Sequence, residues 1–161
     1  MKHLATCLTL LACGLFLFCS NPALAQESAT TEEVVAKCKE AAAMLLENRE
    51  AGIAEIANRE GKFVWKDTYV FLMNLDGHML AHPIIPQLTE KGSLLKVTDK
   101  NKKEPKLIFI DFVEVAKNNG EGWVDYMWPK PGAADKDPTD KFTFIYRVGQ
   151  TDMLVGAGIY K

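Results

Sequence analysis

The sequence predicts an α+β domain in which an antiparallel sheet packs against a long N-terminal helix. Three observations carry this. A stripe of apolar residues at three- and four-residue spacing runs from Val34 to Ile56 behind a capping signature at Thr30–Glu33. The period then switches to two at Tyr69–Leu75, followed by the turn dipeptide Asp76-Gly77. Finally, the last third holds three strand-like runs with no helix between them, a pattern that suits neighbouring antiparallel strands rather than βαβ units.

Each element follows from local chemistry. Thr30 and Glu33 form a capping box, and Val34, Cys38, Ala41, Leu45, Gly52 and Ile56 share one helical face, so a single helix is expected from about Thr31 to Arg59. Gly61 ends it, and Lys62–Asp67 is a connector with two large aromatics. Tyr69, Phe71, Met73 and Leu75 alternate along a strand, Asp76-Gly77 makes a two-residue hairpin turn, and His78–Ala81 returns as its partner. His82-Pro83 breaks that strand. The lysine-rich stretch Ile84–Pro105 is read as a long surface loop covering a site. Phe109, Phe112, Val113 and Ala116 mark a second helix ended by Asn118-Asn119-Gly120. Strands follow at Gly122–Trp128, Lys141–Val148 and Met153–Tyr160, about five in all, with a Pro- and Gly-rich loop at Pro129–Pro138.

The first 25 residues have a different purpose. Lys2 and His3 precede an apolar run, Leu4–Phe18, and small residues stand at Ala23 and Ala25, the pattern of a secretory leader cleaved between Ala25 and Gln26. A lipidated Cys13 or Cys19 fits less well, because the run before Cys13 is short and Phe18 is bulky. Residues 26–161 are then one exported domain, periplasmic or extracellular, that stops without an output module. Cys38 is its sole cysteine, so no internal disulfide forms, and its place on the apolar stripe points to burial. Loss of Lys2 takes the formal charge from −2 to −3, which gives no electrostatic case for nucleic acid.

The order of several short motifs resembles the Cache domain of the second type, the extracellular sensory module of bacterial chemoreceptors and sensor kinases. The pieces are Tyr69-Val70-Phe71 before Leu75-Asp76-Gly77, Leu80-Ala81-His82-Pro83, Gly122-Trp123-Val124-Asp125-Tyr126 with Trp128-Pro129, Lys141 before Phe144-Ile145-Tyr146, and Gly156-Ala157-Gly158-Ile159-Tyr160. The resemblance implies a PAS-like sheet behind the long helix. It also implies a pocket on one sheet face that takes small molecules, often short carboxylic acids, between aromatic and cationic side chains.

The candidate ligand contacts are Tyr126, Trp128, Lys141, Tyr146, His82, Trp65 and Tyr69. Tyr126 and Trp128 share a strand face. Lys141 offers a point charge to a carboxylate, but Tyr146 lies on its face only if a bulge intervenes. His82 is a donor whose titration would make binding pH-sensitive. Trp65 and Tyr69 stand where helix hands over to sheet. For each aromatic the competing role is core packing, and for Lys141 a solvated strand end.

No cofactor motif and no nucleophile or phosphate-loop signature is present, so a non-catalytic binding domain is expected, with an electron-transfer or catalytic accessory the outlying possibility. His78 and His82 have helical metal spacing but lie on a strand, and no third ligand accompanies them, so no metal site is expected. The main alternative function is an interaction protein that docks on a separate membrane receptor or sensor kinase. Homodimerisation through the long N-terminal helix is expected from the resemblance.

Overall fold

The structure, a computed structural model, describes residues 27–130 and 137–161. The leader, its cleavage position and most of the 129–138 loop lie outside the described residues. The order is helix α1 (Thr31–Glu47), α2 (Arg49–Ala57), strands β1 (Val64–Trp65), β2 (Thr68–Asn74) and β3 (Met79–Ala81), a 3-10 turn at Pro86–Glu90, α3 (Ile108–Asn118), then β4 (Glu121–Pro129), β5 (Pro138–Arg147) and β6 (Met153–Tyr160).

The capping box forms as expected: Thr30 Oγ1 accepts from the Glu33 amide at 3.3 Å, and the Glu33 carboxylate accepts from the Thr30 amide at 2.9 Å. The single helix does not form. Asn48 is extended (φ −148°, ψ 102°); its amide donates to Met44 O while its side chain accepts from the Ala51 amide, so one residue ends α1 and caps α2. Gly52 then allows α2 to close on α1, because a Cβ there would lie 2.8 Å from Leu45 Cδ2.

The six strands form one antiparallel sheet, β1-β2-β6-β5-β4, with β3 also on β2. The additional strand is β1, joined to β2 through Lys66 at φ +47°. The turn after β2 is longer than two residues. Only Gly77 takes a positive φ there, and the Asn74 side chain accepts from the Asp76 and His78 amides.

Strand alternation divides the core in two. On one face Val70, Leu72, Phe144, Val155 and Ala157 meet Val34, Cys38, Leu45 and Ile56 of α1 and α2. On the other, Phe71, Met73, Val124, Tyr126, Ile145 and Leu154 meet Ile108, Phe109, Phe112, Val113 and Ala116 of α3. β2 is covered on both sides, which accounts for its nearly unbroken apolar run. The 84–105 segment is tied down rather than free. Leu94 is buried and bonds to Gly77 O, and the Asp99 carboxylate accepts from the Asn101, Lys106 and Met127 amides, fastening the segment to β4.

Candidate ligand pocket

Lys141 stands at the centre of the α3 face. It is the fourth residue of β5, opposite Tyr126 on β4 and Tyr160 on β6, and only 2% exposed. Its Nζ lies 4.7 Å from the centre of the Tyr69 ring, 4.6 Å from that of Tyr160, and 3.5 Å from Tyr69 Oη. Two ring faces favour the ammonium form, but no carboxylate among the described residues forms an ion pair with it. Burial therefore dominates and brings its pKa down from 10.5 to about 7, opposed only by the more distant charge of Asp67. The solvated strand end that a terminal position suggests is absent: β5 begins three residues earlier.

His82 is buried against the same cluster, its ring 4.8 Å from Tyr69 and stacked on Phe71 at 6.3 Å. Its Nδ1 accepts from the Ile84 and Ile85 amides at 3.3 and 3.0 Å, so the ring proton resides on Nε2. Burial, then the charge of Lys141, push its pKa down to about 3. His82 is thus a neutral donor, and the neighbouring group that titrates near neutrality is Lys141.

Tyr126 Oη shares a hydrogen bond of 3.0 Å with the buried Thr143 Oγ1. Burial raises the pKa of Tyr69, Tyr126 and Tyr160, so all three keep their hydroxyl protons. Half-buried Trp128 packs edge-on to Phe109 and Tyr126. Tyr69, Phe71, Met79, His82, Leu88, Ile108, Phe109, Phe112, Tyr126, Trp128 and Lys141 enclose a cavity of about 20 Å³, room for about one water molecule. Leu88 comes from the 3-10 turn, so the 84–105 segment supplies part of the wall. Two wider surface clefts reach the same residues: one of about 440 Å³ at Tyr69, with Arg59, Lys66 and Lys130, and one of about 200 Å³ at Tyr126 and Lys141, with Asp140 and Lys161.

Five of the seven candidates, Tyr69, His82, Tyr126, Trp128 and Lys141, therefore line one cavity. Tyr146 does not join them. The β5 register runs unbroken from Pro138 to Arg147 with no bulge, so Tyr146 falls on the opposite face with the α1 cluster, under Lys39. Trp65 likewise packs with the α1 cluster. Sequence reasoning missed Tyr160, Thr143 and the phenylalanine wall. Thr143 was within reach of strand parity, since it shares the Lys141 face of β5, whereas Tyr160 lies on β6 and joins them only through the β5–β6 register. Exposed His78 and buried His82 stay apart, and no cluster of three metal-ligating side chains occurs among the described residues.

Comparison with known proteins agrees with this architecture. A family model described as Cache domain matches residues 46–161. Over 94 residues the chain is 30% identical to the methyl-accepting chemotaxis protein McpP of Pseudomonas putida, a match that spans 58% of this chain and 16% of that receptor. A solved periplasmic sensor domain of a chemotaxis protein superposes with a TM-score of 0.62 at 28% identity, over 80% of this chain and 88% of that one. Two further structures share the fold. One is a Cache chemosensory domain described for carboxylic acid recognition (TM-score 0.66, 24% identity, 80% and 91% covered). The other is a methyl-accepting chemotaxis protein of Vibrio parahaemolyticus (0.64, 20%, 80% and 86%). The chain belongs to the family of Cache domains, of the second type.

Proposed function

We propose that this Cache domain is exported and captures a short monocarboxylic acid without transforming it. The observation that carries the reading is Lys141, a buried ammonium with aromatic rings on two sides and no acidic partner among the described residues. An isolated buried charge is costly, and an incoming carboxylate supplies the missing counter-charge. Tyr69 Oη and His82 Nε2–H are neutral donors beside it, while Phe71, Phe109, Phe112 and Trp128 suit a hydrocarbon end. Because the cavity of about 20 Å³ has room for only about one water, an acid of about two to four carbons enters as Leu88 and Trp128 move outward, and a longer acid demands a larger displacement. Native mass spectrometry of the protein purified without refolding, followed by denaturing extraction, tests this. A co-purified short acid supports it; an unrelated ligand class in the same cavity would replace it.

A second reading is docking on a separate membrane receptor or sensor kinase, or self-association, through the N-terminal helical face. Its support is Leu46 near the end of α1, 58% exposed and lying over Gly149. The rest of that face is charged or small, including Glu32, Ala36, Lys39, Glu40 and Ala43, so ligand capture has the stronger physical case. The leader and export to the periplasm are part of the proposal and rest on residues 1–25. No helix among the described residues is long and apolar enough to cross a membrane.

A further inference from the structure

Resting on the carboxylate reading of Lys141, we infer that Gly158 is its positioning residue: the missing side chain at 158 is the bed on which Lys141 crosses β6 to reach Tyr69. The register sets this out. Thr143 on β5 is paired with Gly158, Lys141 with Tyr160, and Val70 on β2 with Ala157, so Gly158 lies between Thr143 and Tyr69 on the pocket face. Lys141 starts on β5 yet brings its Nζ to the Tyr69 ring on β2, a path that runs over residue 158. A Cβ there would stand 2.7 Å from Lys141 Cε and 3.0 Å from Phe142 O, and would overlap Thr143 Oγ1. The Thr68 hydroxyl donates to Gly158 O, which fixes this stretch of β6 in place.

The glycine is not required by its backbone, since the left-handed glycines are Gly77, Gly120 and Gly149. Space is the requirement. Gly156, two residues earlier on the same face, serves different neighbours: the three atoms nearest its Cβ would belong to Phe71 and Ile145, with Phe71 Cζ at 2.5 Å and Ile145 Cδ1 at 2.9 Å, rather than to Lys141. The pair therefore separates an effect on the ammonium from an effect on packing.

The experiment compares Gly158→Ala with Gly156→Ala. The Lys141 side chain is titrated by NMR in ligand-free protein, and acetate affinity is measured by calorimetry across pH. Both variants are expected to unfold at lower temperature. Gly158→Ala should weaken acetate by about tenfold below pH 7, and it alone should raise the Lys141 midpoint by about one unit or more, as the displaced ammonium regains water; Gly156→Ala, which displaces the cavity-lining Phe71, should leave that midpoint in place. A folded Gly158→Ala protein with an unmoved midpoint overturns the inference, as does an equal movement in Gly156→Ala. Should Gly158→Ala alone not fold, Gly158→Ala/Thr143→Ala removes the overlapping hydroxyl and carries the same comparison. The NMR titration needs no ligand, so wild-type protein indifferent to acetate would sink the carboxylate reading while leaving the Gly158 test standing.

Discussion

At the scale of single residues the pocket is governed by one group that is expensive to bury. Lys141 has a folded pKa of about 7 against 10.5 when unfolded. Below pH 7 both states hold the proton and the folded state bears the full penalty. Between pH 7 and 10.5 the unfolded chain keeps a proton that the folded one has released, so the ligand-free domain gains stability as pH rises through that window. Lys141→Met should therefore stabilise the empty domain at pH 6, by about 1–4 kcal/mol in urea unfolding, while abolishing carboxylate binding. Affinity for acetate should be flat from pH 5 to 7 and fall about tenfold per unit above it, as the ammonium is lost. The other titratable groups facing Lys141 do not change this: His82 is held near 3, Tyr69, Tyr126 and Tyr160 stay protonated, and Asp67 acts only weakly at a distance. Much of this site was legible, because alternation puts Tyr126 with Trp128 and Tyr69 with Phe71. The depth of Lys141 was not, since nothing local marks a strand that begins at Pro138. Tyr160 and Gly158 were hidden in a run of glycine and alanine where alternation has no contrast.

At the scale of elements, two polar side chains decide what hydrophobic pattern leaves open. The apolar period continues through residue 48, so the pattern alone favours one helix; the break depends on Asn48 capping in both directions and on the space Gly52 leaves for Leu45. Asn48→Ala should cost about 1 kcal/mol through loss of the cap, read as a lower urea midpoint with an unchanged slope. The 84–105 segment was read from its lysines and turn formers as a surface loop, and its exposed residues bear that out. Its attachment depends on buried Asp99, an acceptor for three amides, which composition cannot reveal. Asp99→Asn places an amide donor against one of those N–H groups and should cost about 1–3 kcal/mol. Hydrogen exchange should then rise at Asn101, Lys106 and Met127 ahead of the sheet interior.

At the scale of the whole molecule, the sheet separates two jobs. Its α1 face holds the N-terminal helices, Cys38 and Tyr146 in a packed core, and its α3 face holds the candidate pocket. This division explains why the α+β class and the succession of helices and strands along the chain could be anticipated from period changes, while the strand order of the sheet and the assignment of each aromatic to one face or the other required the register. It also predicts that the N-terminal helical face is not needed for capture. Leu46→Glu should leave acetate affinity unchanged within about twofold even where light scattering shows that it alters the solution mass. Ligand should also raise the unfolding temperature, and by more at pH 6 than at pH 9, because only the charged pocket is relieved by an anion. The most direct measurement is calorimetry of acetate and propionate at pH 8 in buffers of different ionisation enthalpy, on wild type and Lys141→Met. Binding should draw in about 0.9 proton per ligand at pH 8 and almost none at pH 6, and should vanish in Lys141→Met. Binding without proton uptake at pH 8, or equal binding by Lys141→Met, would contradict a pocket built around a buried, counter-charge-seeking lysine.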